Sequence, residues 1–403
     1  MTNTTSGAPG VSGRAAMIAL ALAGTLAVVL AGLVTQPAGA KPKDAKSLYT
    51  VTELNTETKP GELWTNTIAR DINKSGRIAG QGQNPSGQQR AFLWSNGKML
   101  DLGVPDNENL SFSRARSINA SGKVVGEWGP VGQTGLKAFQ YEDRQMKDLN
   151  SLVTEPSEPQ WNLVSAQAIN NRGQIVGSGT VGDHTHAFVY RKGEVTDLGD
   201  VLSESYGDPY SVAWGINNSG DVVGTSGSSA TRSEAFVYSA SDGSVRKLDV
   251  SDNDVLNDYS VSEAVGINAR GDVIGWAFMA PSQGAPRGRA FLFEAGETQP
   301  GLLYPLPADP EVLGDTDDLY TRARDIDQTG LVVGWSRDND SGGQARQFSA
   351  VLWKNGQPRD LNDLIPENSG WQLTDAYAIN KRGQIVGSGF LNGQLRAFLL
   401  TRR

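Results

Sequence analysis

The segment Ala376 to Phe398, AYAINKRGQIVGSGFLNGQLRAF, has a near copy far upstream at Ala166 to Phe188, AQAINNRGQIVGSGTVGDHTHAF. The core of this unit, Ala-x-x-Ile-Asn-x-x-Gly, starts at Ala69, Ala115, Ala166, Ala213, Ala264, Ala323 and Ala376, with Asp327 in place of Asn in the sixth copy. Successive isoleucines, Ile72, Ile118, Ile169, Ile216, Ile267, Ile326 and Ile379, are spaced 46, 51, 47, 51, 59 and 53 residues apart. One such unit cannot bury its apolar face alone, so a repeated unit folds by packing copies side by side.

The unit reads as four short strands. The first, Ala69 to Asn73, ends in Asn73-Lys74-Ser75-Gly76, where Asn at the first position and Gly at the fourth suit a type I turn. Arg77 to Gly80 and Ala91 to Trp94 supply the next two. Asn96-Gly97 is a strong hairpin signal, and Met99 to Leu102 follows as the fourth strand. Four strands in a repeat of this length point to a β-propeller blade, so the expectation is an all-β, seven-bladed propeller.

The chain ends support a ring. The last copy stops after its third strand, Ala397 to Leu400, while Val51 to Leu54 stands alone before the first copy. The N-terminal strand is expected to complete the last blade and remove the free sheet edges. A linear solenoid would need polar capping repeats at both ends, and neither end has one.

Ahead of the repeats, Ala15 to Val34 is an apolar run, followed by Pro37-Ala38-Gly39-Ala40. Small residues at Ala38 and Ala40 suit signal-peptide cleavage before Lys41, giving a signal peptide over 1–40, a linker over 41–48 and the propeller over 49–403. An uncleaved anchor is the competing reading, since the run is long enough to span a bilayer. The expectation is a secreted, extracellular monomer with no membrane span after cleavage.

The mature part carries 35 basic and 44 acidic residues, a net charge of −9, and no Lys/Arg run, which argues against nucleic acid as a partner. Cysteine is absent, which removes disulfides, thiolate metal sites and cysteine nucleophiles. With only His184 and His186, a histidine metal cluster is not expected, nor is any cofactor. Asp338 to Gly342 and Asp249 to Asp258 resemble calcium loops but lack the full spacing with a distal Glu, and read as polar surface loops. His184 has no visible nucleophile or carboxylate partner, and no phosphate loop or Gly-x-Ser-x-Gly elbow is present. No residue is assigned a catalytic role, although a carboxylate pair drawn from different blades would not be visible in the sequence.

The connections point to a working face. Second-to-third and blade-to-blade connections, such as Trp276 to Arg289 and Glu297 to Arg322, are long and dissimilar, whereas the other two classes are tight turns. In an up-and-down blade the long classes emerge on one side, which is where function on a rigid scaffold usually sits. The residue after each anchor Ala varies: Arg70, Arg116, Gln167, Trp214, Val265, Arg324 and Tyr377. If the first strand begins at the channel mouth, these form a cationic and aromatic ring there, able to grip sugars, carboxylates or planar groups. Packing against the neighbouring blade is the alternative. Trp128, Trp161, Trp276, Trp335 and Trp371, in or beside long connections, offer stacking platforms or interblade core.

AINxxGxIVG followed by (H)AFxW resembles the HAF-repeat extracellular proteins, exported bacterial repeat proteins without an established activity. The resemblance spans residues 49–400, though the three letters occur together only at His186-Ala187-Phe188. It implies an extracellular repeat protein and no reaction. The expected function is a binding module for a polysaccharide or cell-surface component, with a polysaccharide lyase or hydrolase as the alternative.

Overall fold

A row of three residues explains why each unit folds as it does. Ala376 lies directly across from Gly387, and Gly387 directly across from Phe398. The same row recurs as Ala69–Gly80–Phe92, Ala115–Gly126–Phe139, Ala166–Gly177–Phe188, Ala213–Gly224–Phe236 and Ala264–Gly275–Phe291. The missing side chain at glycine leaves room for the phenylalanine ring, and Phe92, Phe139, Phe188, Phe236, Phe291 and Phe398 are all fully buried. The sixth copy has Val351 opposite Gly334, and there the fully buried Trp353 reaches within 3.1 Å of the place a Cβ would take.

The structure, a computed structural model, describes residues 47–55, 63–105, 111–132, 135–154, 160–250, 261–279, 287–303, 306, 320–337 and 348–403. All of them belong to one compact unit, residues 46–403. The signal peptide expected over 1–40, most of the linker, and the acidic stretch Asp338 to Gly342 lie outside the described residues, as does all of the other acidic stretch beyond Val250. The described chain is all-β, with one α-helix, α1 (Leu198–Tyr206), and short 3-10 turns. No helix among the described residues is long and apolar enough to cross a membrane.

After β1 (Tyr49–Glu53), the first copy comprises β2 (Thr65–Ile72), β3 (Ile78–Gln83), β4 (Gln89–Ser95) and β5 (Lys98–Asp101), an antiparallel sheet in chain order. Asn96 and Gly97 both take positive φ, 50° and 77°, as the two-residue hairpin between β4 and β5 requires. Three sheets have four strands. Two have eight, each joining two copies through a single parallel pair, Thr185–Tyr210 and Gly288–Tyr320. The first strand is longer than expected: β2 begins at Thr65, not Ala69, its pairing resuming at Ile68 past an irregularity at Asn66, with no apolar run to mark the extension. β3 and β4 likewise extend through Gln83 and from Gln89, so that connection is a short hairpin, not a long loop.

β1 pairs with the C-terminal strand Gln394–Arg402 from Tyr49–Arg402 to Glu53–Phe398, and Leu54, fully buried, adds a hydrogen bond to the Ala397 carbonyl at 3.0 Å. Two sets of hydrogen bonds tie neighbouring copies, the first at five junctions and the second at six. In the first, a hydroxyl two residues before the anchor Ala accepts from the Ala-Phe alanine of the preceding copy: Ala91 N–H to Ser113, Ala187 to Ser211, Ala235 to Ser262, Ala290 to Thr321 and Ala397 to Thr67, all at 2.9–3.0 Å. In the second, each anchor Asn uses its side-chain oxygen to hold its own turn and its amide to reach the next copy's carbonyl. Asn73 donates to Asn119, Asn119 to Asn170, Asn170 to Asn217, Asn217 to Asn268, Asn268 to Asp327 and Asn380 back to Asn73, at 3.0–3.3 Å.

Only Asn both accepts and donates here, so Asp327 breaks the series toward Asn380. Asp325 bridges the same junction instead, accepting from Ile326 and Ile379 N–H groups at 2.8 Å each. Asp327→Asn is expected to restore the missing amide-to-carbonyl bond and remove a negative charge beside Asp325, raising stability by about 1 kcal/mol. Chemical denaturation of the two forms checks it; equal or lower stability of the variant would show that the series does not bear on the sixth junction.

Candidate functional site

The variable position after each anchor Ala has a common backbone cause. In every copy the first strand carries a bulge at that point: register skips from Ala69 to Asp71, Ala115 to Ser117, Ala166 to Ala168, Ala213 to Gly215, Ala264 to Gly266, Ala323 to Asp325 and Ala376 to Ala378. Arg70, Arg116, Gln167, Trp214, Val265, Arg324 and Tyr377 are therefore the extra, unpaired residues, and a bulge re-aims a side chain out of the sheet's alternation. All seven are half-buried. Because β2 starts earlier than expected, Arg70 is the sixth of its eight residues, well inside the strand and not at its beginning.

The structure brings most of the ring together. The Arg70 and Arg324 guanidiniums both lie over the Tyr377 ring, 4.4 and 4.7 Å from its centre, joining the first, seventh and sixth copies. Arg324 also pairs with Asp375 at 2.8 Å. Arg116 pairs with Glu127 at 2.7 Å, Arg114 approaches the same carboxylate at 3.7 Å, and Ser165 donates to its other oxygen at 2.7 Å. Gln167 closes this corner by donating to Ser165 at 2.9 Å. Across the fifth and sixth copies, Trp276 donates its indole N–H to Glu263 at 2.7 Å, and Arg322 lies 4.4 Å over the Trp276 ring and 3.7 Å from Glu263. Trp214 makes no such contact: its buried Nε1 has no hydrogen-bond partner among the described residues. Val265 offers no polar group.

The surroundings tune these charges in opposite directions. Burial works against the Glu127 charge, yet Arg116, Ser165 and Arg114 together hold that carboxyl below its usual range. Burial pushes Glu263 up, and Arg322, the Trp276 indole and Arg324 offset only part of it. Burial, with Arg324 alongside, brings Arg322 down to about 10. Arg70 is also lowered, by burial above all, with Arg116 and Arg324 adding repulsion.

Sequence reasoning missed Arg114, Arg322, Glu127, Glu263 and Asp375, which stand one layer away from the ring or across the strand pair. The tryptophans, left by the sequence as stacking platforms or interblade core, are strand residues. Trp128, Trp276 and Trp335 lie within strands, and Trp161 and Trp371 begin them. Trp161 and Trp371 meet Phe188 and Phe398 edge-on at 6.1 Å each, so they serve the core and not a stacking platform. His184 is the first residue of a strand.

In four copies the residue before the Ala-Phe pair proves to be one half of an ion pair with the residue opposite the Phe. Lys137 pairs with Asp148 at 3.4 Å, His186 with Asp197 at 3.0 Å, and Arg396 with Glu53 of β1 at 3.0 Å, while Glu234 with Lys247 at 3.1 Å reverses the signs. His186, Asp197 and Asp200 cluster closely enough to suggest a metal site. Asp197 is nevertheless spent on the His186 pair and on capping α1, accepting from Gly199 and Asp200 N–H at 2.7 and 3.2 Å.

At the other end of these inner strands, a cavity of about 320 Å³ is lined by all seven copies, including Asp71, Asn73, Asn170, Asp325, Asn380 and Lys381. Burial pushes the Asp325 carboxyl up to about 7, with Asp71 and Asp327 adding to the effect. This end carries the tight turns, so the expected contrast between a plain and an elaborated face does not extend to where open space lies.

A model of a family described as a protein of unknown function, DUF3466, matches residues 28–202 and again 200–397. The chain belongs to that family. The double match agrees with the near-identity of the third and seventh copies. No curated protein matches the sequence. Among solved structures, the chain is similar to the β-propeller domain of the Trilobed protease from Pyrococcus furiosus, at 10% identity and a TM-score of 0.41, over 83% of this chain and 93% of that one. It is similar to a polysaccharide lyase of family PL25, an ulvan lyase, at 12% identity and a TM-score of 0.44, over 87% and 94%. It is also similar to the Aleuria aurantia lectin in complex with Fucα1-6GlcNAc, at 11% identity and a TM-score of 0.34, over 71% and 91%.

Proposed function

We propose that this protein is a secreted binding module for a polysaccharide or another cell-surface component, built as a seven-bladed β-propeller that β1 closes by completing the last blade. The hydrogen bonds from Asn380 to Asn73 and from Ala397 to Thr67, last copy to first, support the closed ring. Export through the apolar leader, after the manner of the HAF-repeat proteins it resembles, belongs to the same proposal. The observation that carries the binding reading is the bulge: one backbone device, present in every copy, presents five kinds of side chain over seven copies, arginine at three of them. Conserved geometry with varied chemistry at one layer is what a recognition surface needs and what a packing layer does not.

A second reading rests on Glu127 and Glu263, whose carboxyls are pushed in opposite directions. Carboxyls moved apart in this way, Glu127 down by Arg116, Ser165 and Arg114 and Glu263 up by burial, are what base and acid roles in a glycan-cleaving enzyme call for. A polysaccharide panel, with product release followed in the same wells, separates the two. Binding without turnover, weakened by Trp214→Ala, is the expected result. Turnover abolished by Glu263→Gln would establish the enzyme, and silence on every glycan would remove both.

A further inference from the structure

The charges of the ring are layered by depth. The carboxylates lie behind: side chains of Glu127, Glu263 and Asp375 are only 4%, 8% and 13% exposed. The guanidiniums lie in front: Arg114, Arg116, Arg324 and Arg322 keep 16%, 20%, 21% and 32%. What solvent meets on this inner wall is therefore cationic, within a chain whose formal net charge is −8.

The cations also exceed their partners. Arg114 and Arg116 share Glu127, Arg324 takes Asp375, and Arg322 holds Glu263 loosely at 3.7 Å. Among the described residues Arg70 forms no ion pair, and its contact is the Tyr377 ring. The buried Nε atoms of Arg70, Arg114, Arg116 and Arg322, and the Trp214 Nε1, have no hydrogen-bond partner among those residues. Those atoms are shut off from solvent, so a ligand meets the partly exposed remainder of the guanidiniums, and an oxyanion is the partner that suits those best. A solvated packing layer would have matched each arginine with its own carboxylate, as Arg324 and Asp375 are matched.

We infer that the inner wall is a receptor for the oxyanion groups of an acidic polysaccharide, carboxylate or sulfate, held by the Arg70 guanidinium with Arg116, Arg322 and Arg324 around it. This rests on the binding-module reading and names its ligand class. Planar guanidiniums bind both groups by donating through paired N–H bonds.

The test measures affinity of the purified protein for matched polymers: polygalacturonate against its fully methyl-esterified form, and dextran sulfate against dextran. The acidic member of at least one pair is expected to bind about tenfold or more tightly than its neutral twin, the gain from one or more charge-assisted hydrogen bonds, and to weaken as salt rises. Which pair responds distinguishes carboxylate from sulfate. Arg70→Met is expected to lose about tenfold in acidic-polymer affinity while its thermal midpoint stays the same or rises, because it removes a buried cation without an ion pair. A purely structural arginine would lower the midpoint and leave affinity alone, which overturns the assignment. Equal binding of acidic and neutral twins overturns the anion inference and leaves the binding module standing. No binding to any polymer overturns both.

Discussion

Gly387→Ala is expected to destabilise the protein by about 3 kcal/mol, the upper part of the range for overpacking a core. The added Cβ would sit on the Asp375 carbonyl oxygen and 2.6 Å from the Phe398 ring. The bulge at Ala376 pushes that carbonyl toward Gly387, so the clash is backbone against backbone and no rotamer change relieves it. Gly393→Ala is the control, with a φ of 80° but open space around it, and should cost about 1 kcal/mol through strain alone. Chemical denaturation of both variants decides the matter. If Gly387→Ala costs no more than Gly393→Ala, the Ala–Gly–Phe row does not determine how the unit packs.

Removing β1 by deleting residues up to Leu54 is expected to cost several kcal/mol. It takes away the fully buried Leu54, the 6%-exposed Tyr49, five ladder pairs and the Glu53–Arg396 ion pair. Truncating one large buried side chain alone costs about 2–5 kcal/mol, against a total stability of about 5–15 kcal/mol for a folded domain. The C-terminal strand would then present an open edge, which favours pairing with another chain. The shortened protein should unfold at a much lower temperature or self-associate, and a peptide spanning residues 47–55 should restore the monomer. A monomeric deletion with an unchanged midpoint would refute the role assigned to β1.

The repeat made much of the fold legible, because the row of anchor Ala, second-strand Gly and Ala-Phe is a packing rule written in residue types that admit few substitutes. The bulges were not legible. An extra residue in a strand leaves no mark unless glycine occupies it, and here Arg, Gln, Trp, Val and Tyr do. The early start of β2 was hidden for a related reason: Thr65 and Thr67 are polar, and Thr67 is buried because it accepts from Ala397, 330 residues away. The variable ring could be found from its alignment across copies. Its partners could not, since Glu127 meets Arg116 within one copy but Ser165 and Asp375 reach across to neighbours. His186 was recognisable as a departure from the other copies, yet its pairing with Asp197 emerges only when the reversed pair Glu234–Lys247 is set beside it.

The central claim is that the seven copies close into a ring whose interior is the working surface, and one engineered bond tests the closure. The chain has no cysteine, and Thr50 and Thr401 are paired across β1 and the C-terminal strand, 351 residues apart in sequence. Directly opposed residues of antiparallel strands fall within the Cα separation a disulfide spans. The double variant Thr50→Cys, Thr401→Cys is predicted to form one intramolecular disulfide on mild oxidation, seen by mass and non-reducing electrophoresis, and to gain about 2–4 kcal/mol in stability. Free thiols, or disulfides only between chains, would contradict the closed ring and with it the inner wall as a binding site.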